Sequence, residues 1–156
     1  MKKIVCLALV LTAILTCFTA VADDYKVFIL CNPATSVNVR KSAKKAAEIV
    51  GRLDFGDWVE TDGKKRNGFL HIYGIGEYGE GWIFAGYTVK DPPEKAEKAW
   101  ASIGATGRVM TYRWVNGRKN GWVNVCDQVK VLALSEEWAV TDKGYIRTKY
   151  LEVWYE

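Results

Sequence analysis

GWIFAGY (81–87) returns sixty-three residues later as GYIRTKY (144–150). Both stretches read Gly, aromatic, Ile, three variable positions, Tyr. Positions that hold while their neighbours drift mark a scaffold requirement, and its recurrence predicts a scaffold built twice. Upstream of the first copy, KVFIL (26–30), SVNVR (36–40), EIVGRL (48–53), WVETDG (58–63) and FLHIYG (69–74) are β-rich stretches. In SVNVR, Val37 and Val39 alternate with Asn38 and Arg40. Many brief strands with glycines between them predict a small barrel or sandwich.

Strands resume before the second copy. GRVMTYRW (107–114), GWVNV (121–125), QVKVLAL (128–134) and EWAVTD (137–142) lead into GYIRTKYLEVW (144–154). Laid on the first unit, Val109 falls on Val39, Val125 on Leu53, Val131 on Val59 and Trp138 on Phe69. Between the two sets, DPPEKAEKAWASIG (91–104) carries the marks of a helix. Asp91 is an N-cap candidate, Pro92 suits the first position and Glu94 completes a capping box. Ala96, Ala99, Trp100 and Ile103 then share one helical face, and Gly104 is a stop. The expectation is a helical linker docking its Trp100 face on one of the units. Thirteen per cent aromatic residues, seven of them Trp, would let units of this size reach enough buried area.

VNVR (37–40), IVGRLDFGDWVE (49–60), FLHI (69–72) and GWIFAGY (81–87) together resemble the bacterial SH3-type domain. The second unit is similar in its closing half, YIRTKYL (145–151), while its opening GRVM (107–110) lacks the Asn-Val-Arg. The resemblance implies two small SH3-like barrels, at 23–90 and 105–156, in a mainly β protein whose joining segment at 91–104 is the short α-helix expected above. It also implies non-catalytic binding to peptidoglycan or to proteins at the cell envelope. The rival role is a scaffold that targets a partner enzyme.

The N-terminal residues read as an export signal. Lys2 and Lys3 precede the apolar run 4–15, and Ala20 and Ala22 form an A-x-A site before Asp23. Residues 1–22 are thus expected to be removed, leaving a secreted or periplasmic chain. The lipoprotein alternative would acylate Cys17, but Thr16 stands where a smaller residue belongs. No later stretch approaches the ~20 apolar residues of a spanning helix. Residues 1–22 hold two of the 22 basic residues and no acid, so 20 basic face 18 acidic side chains afterwards and the formal charge falls from +4 to +2. That small surplus gives nucleic-acid binding no support. Two of the four cysteines, Cys31 and Cys126, lie beyond the signal. In an exported chain they could form one disulfide, worth ~4–5 kcal/mol in the chain-entropy picture, or remain separate thiols.

Catalytic constellations are thin. Gly74–Gly79 satisfies G-x-G-x-x-G, yet GWIFA follows as a strand where a pyrophosphate would need a helix N-terminus. His71 is the single histidine, neither cysteine sits in a setting that activates sulfur, and Glu77 and Glu80 share a loop with nothing to split their acidities. No enzyme, cofactor or metal is expected. Basic residues cluster in loops, with aromatics among them, which is how small modules grip glycans and peptides. The candidate ligand-binding residues are Lys64, Lys65, Arg66, Tyr73, Tyr78 and Tyr87 in the first unit, and Tyr112, Arg113, Trp114 and Trp122 in the second. Trp82 and Tyr145, at the repeated aromatic position, are expected in the cores with Ile83 and Ile146.

Overall fold

Alternation of inward apolar and outward polar side chains drives the architecture. The computed structural model describes residues 24–74, 79–105 and 107–156; the expected signal segment and Tyr78 lie outside them. The first unit comprises β1 (Tyr25–Ile29), β2 (Ser36–Arg40), β3 (Ile49–Asp54), β4 (Trp58–Thr61), β5 (Lys65–Arg66), β6 (Phe69–Tyr73), β7 (Glu80–Phe84) and β8 (Thr88–Val89). The second comprises β9 (Glu94–Ile103), β10 (Val109–Tyr112), β11 (Lys119–Val123), β12 (Gln128–Leu134), β13 (Trp138–Thr141), β14 (Gly144–Arg147) and β15 (Leu151–Tyr155). A short 3-10 turn precedes the last strand of each unit, at Ala85–Tyr87 and Thr148–Tyr150.

Strand order repeats between the two units. The first sheet runs β3-β2-β7-β6-β4-β1-β8, with β5 added beside β6, and the second runs β11-β10-β14-β13-β12-β9-β15. Position for position these are one topology, and all the pairings are antiparallel. Among the described residues no pairing closes either sheet into a ring, so the expected barrels are realised as two open antiparallel sheets. The equivalences are anchored by Arg40 opposite Trp82 and Tyr112 opposite Tyr145. Val109 therefore matches Val37, Val123 matches Leu53 and Val129 matches Val59, each two residues from the expected partner. Trp138 does match Phe69, and Gly144-Tyr145-Ile146 matches Gly81-Trp82-Ile83.

The helix expected at 91–104 is a strand. β9 pairs with β12 on one side and β15 on the other, and it occupies the place β1 holds in the first unit. Its register shows why the helical pattern misled. Ala99 faces Val131 and Lys95 faces Ala133, so four residues of β9 span two of β12, with Lys98 left-handed at φ 53°. This bulge turns Ala96 and Ala99, three apart, to the same interior. Beyond it, Ala99, Ala101 and Ile103 return to period two. Asp91 caps no helix; its Oδ2 accepts from the Glu136 N–H at 2.6 Å.

Each sheet encloses an aliphatic cluster. In the first unit Val27, Ile29, Val39, Leu70, Ile72 and Ile83 lead it; in the second, alanines and valines surround the fully buried Ile146. Burying one such Ile contributes about 1.5–3 kcal/mol. The aromatics do not fill these cores. Of the tryptophans only Trp138 is fully buried, and it belongs to a third cluster between the units. Trp82, expected in the core, is half-buried on the outer side of β7, its ring 5.0 Å from that of His71.

Candidate binding cleft between the two sheets

The third cluster is where the copies meet. β13 is buried at all four positions because both its faces are covered: Ala139 lies among the interior residues, while Trp138 and Val140 face the seam with Leu30, Val89, Val115 and Tyr145. Tyr145 is the equivalent of Trp82. Its ring is buried in the seam and its phenol donates to the Leu30 carbonyl at 3.0 Å. Burial, with smaller contributions from Tyr87 and Cys31, pushes that phenol well above its ordinary range. A backbone bond from the Val115 N–H to the Gly86 carbonyl at 2.9 Å ties the units at a second point.

Trp114 is the wedge. Its ring meets Phe84 edge-on at 5.1 Å, and two glycines make room for it. A Cβ on Gly86 would lie 2.3 Å from Trp114 Cδ1, and one on Gly117 would lie 2.2 Å from both Cδ1 and Nε1. Around this wedge the surface opens into two clefts that share Trp114 and Phe84. One, of about 560 Å³, has mixed charge, with Lys65 and Lys90 set against Asp91 and Glu137. The other, of about 850 Å³, has aromatic walls from Phe69, Tyr87 and Tyr145, three basic side chains, Arg40, Lys45 and Arg113, and among the described residues no acidic one.

The structure brings together only some of the predicted site residues. Tyr87, Arg113 and Trp114 line the larger cleft, and Lys65 lines the smaller. Tyr112 is half-buried edge-on against Trp138 at 5.4 Å. Trp122 stands 59 % exposed on the end strand β11, with Arg108 over its ring at 5.2 Å. Lys64 is engaged with Asp62 at 2.7 Å, Arg66 is exposed on β5, and Tyr73 is half-buried beside His71 on β6. Arg40, Lys45, Asn67, Phe69 and Phe84 line the larger cleft without having been singled out as site residues. The available signal was Arg40's place in VNVR, an outward position next to the strand that carries the repeated aromatic.

The thiols are not joined: Cys31 is buried in the first unit and Cys126 is exposed in the second. Of the two alternatives for this pair the structure has the separate thiols, in different environments of different units. Burial, with the Asp54 and Asp57 carboxylates adding to it, pushes the Cys31 thiol up. His71 instead meets Asp62 through Nδ1 at 3.2 Å and Glu80 through Nε2 at 3.5 Å. Burial opposes ionisation of Asp62, but hydrogen bonds from the Lys64 ammonium, the Lys64 N–H and His71 outweigh it and hold the carboxyl at about 2. Among the described residues no group of His, Cys, Asp and Glu side chains has the makings of a metal site, and no helix is long and apolar enough to cross a membrane.

No protein-family model matches the chain, and no curated protein matches it. Solved structures similar to it include NlpC1 and NlpC2 from Trichomonas vaginalis. NlpC1 matches at a TM-score of 0.36 and 19 % identity, over 86 % of this chain and 47 % of its own. NlpC2 matches at 0.36 and 16 %, over 84 % of this chain and 48 % of its own. The chain thus spans about half the length of these two proteins.

Proposed function

We propose that this is an exported, non-catalytic recognition protein of the cell envelope, built from two SH3-type units, that holds stem peptides of peptidoglycan in the larger cleft between them. One observation carries the reading: both units contribute aromatic walls and basic side chains to one cleft that, among the described residues, no acidic side chain lines. Aromatic faces flanked by cations suit peptide backbones and small side chains ending in an anion. The open order of each sheet is read as an SH3-type barrel parted along one edge, in keeping with the VNVR and Gly-aromatic-Ile resemblance. The non-catalytic part rests on local chemistry. The Cys31 thiol is pushed up by burial and donates to the Thr35 carbonyl at 3.4 Å, whereas the histidine is engaged with two carboxylates.

Co-sedimentation of the chain from residue 23 onward with purified sacculi tests this reading. The expected result is pelleting at low salt that weakens as salt is added. A protein left wholly in the supernatant at low salt would sink it.

A further inference from the structure

Some cations of this protein are answered by carboxylates nearby in the chain. Lys41 pairs with Glu48 at 3.4 Å, Lys64 with Asp62 at 2.7 Å, Lys95 with Glu97 at 2.8 Å and Arg147 with Glu137 at 2.7 Å. Most cations have no such partner among the described residues, and the three of the larger cleft differ in lining one cavity. Among the described residues Arg40, Lys45 and Arg113 take part in no ion pair. Arg40 is nevertheless held, because its Nη1 donates to the Ala47 carbonyl at 2.8 Å, so the guanidinium is oriented before any ligand arrives. Arg40 and Lys45 come from the first unit and Arg113 from the second, so the positive field exists only where the units meet. Three cations and several aromatic rings in one cleft are complementary to an anion carried on an apolar body.

We propose that this cleft is a carboxylate site, taking the free C-terminal carboxylate of a short peptide onto Arg40, Lys45 and Arg113 and its last side chains onto Phe69, Tyr87 and Trp114. Planar guanidinium forks match a carboxylate in two parallel hydrogen bonds, and a volume of about 850 Å³ holds the end of a peptide rather than a bare ion. The aromatic lining selects for an organic body behind the charge. Neither unit alone supplies the full set. The inference rests on the recognition role proposed above and gives that role its ligand chemistry.

Isothermal titration of the full two-unit chain with N-acetyl-D-alanyl-D-alanine, with its C-terminal amide and with inorganic phosphate tests it. The acid should bind, the amide should bind roughly ten- to a hundredfold more weakly, as expected for losing charge-assisted bonds, and phosphate should not displace the acid. Arg113→Gln and Lys45→Gln alter exposed side chains and should each weaken the acid about tenfold. Arg40→Gln removes the oriented cation, and its urea midpoint should be measured alongside to show that it folds. Equal binding of acid and amide, or undiminished acid binding by both exposed variants, overturns the proposal, as does phosphate binding more tightly than the acid. Sacculus binding that survives Arg113→Gln and Lys45→Gln would leave the envelope reading standing while this one falls. Acid binding without sacculus binding would have the reverse result.

Discussion

Gly117→Ala is the sharpest probe of the seam. The added Cβ would lie 2.2 Å from Trp114 Cδ1 and Nε1 and 2.5 Å from Cε2. Ordinary contact begins near 3.4 Å, so the indole must retreat by roughly 1 Å. It has little room to do so, because the same ring is pressed by Phe84 at 5.1 Å and closed in by Gly86 of the other unit. The clash falls on the rigid five-membered ring, so its cost belongs in the upper part of the overpacking range, about 2–3 kcal/mol. With a urea slope of about 1.5–2 kcal/mol per molar for a chain of this size, the midpoint should fall by about 1–2 M.

The control is a double-mutant cycle followed by circular dichroism. Gly117 has no left-handed backbone angle, so alanine meets no strain there except the indole. In a Trp114→Ala background Gly117→Ala should therefore be neutral, or stabilising by about 0.4–1 kcal/mol through the unfolded chain. The sign of the effect reverses between backgrounds, and the coupling should reach about 2 kcal/mol or more. Equal destabilisation in both backgrounds would refute the wedge, since the cost would then come from the turn and not from the ring it faces.

Three further outcomes can be checked with the same unfolding measurements. Asp62 ionises at about 2 in the folded protein against an ordinary 3.8, so its contribution is complete above pH ~4 and is lost as pH falls through about 2. Asp62→Asn should lower the urea midpoint at pH 7 and converge with the parent near pH 2; a constant difference across that window would contradict the pairing. Ile83→Ala and Ile146→Ala each empty a fully buried position in a different sheet and should cost about 2–5 kcal/mol. Because the seam couples the sheets, calorimetry should show one shifted transition for each variant, and two resolved transitions would count against that coupling. Lys98→Gly removes a side chain from a left-handed position and should stabilise by up to about 1 kcal/mol, whereas a loss would mean the bulge depends on the lysine itself.

Parity was easy to read and identity was not. Val37, Val39, Ile83 and Ile146 announce their inward faces by alternation, and all four are buried. The expected pairing of Val109 with Val39 missed by two residues, as did those of Val125 and Val131. A shift of two keeps every side chain on its proper face, so a hydrophobic pattern cannot detect it. Only the cross-strand anchors, Arg40 with Trp82 and Tyr112 with Tyr145, resolve the register. The false helix has a related origin. One left-handed residue at Lys98 converts a strand's period of two into a local spacing of three, and a Pro-Glu-Lys-Ala composition supplied matching helix signals. Pairing on both edges of β9 then overrode local propensity.

The seam itself follows from comparing outward positions of the two copies. Inward residues must fit a similar interior in each unit, so their differences carry little information about the surroundings. Outward residues answer only to what lies outside. His71 in β6 becomes Val140 in β13, and the half-exposed Trp82 of β7 becomes the buried Tyr145 of β14. Polar or half-exposed in one copy and buried against a neighbour in the other is the mark of a face that one unit covers and the other leaves open. By the same comparison Arg40 in β2 stands where Tyr112 stands in β10: the first unit places a cation beside the cleft where the second places a ring against Trp138. A duplicated chain that used both copies alike would have kept these pairs similar. Their divergence at the junction, while the interiors keep phase, argues that the working surface belongs to the pair of units rather than to either one.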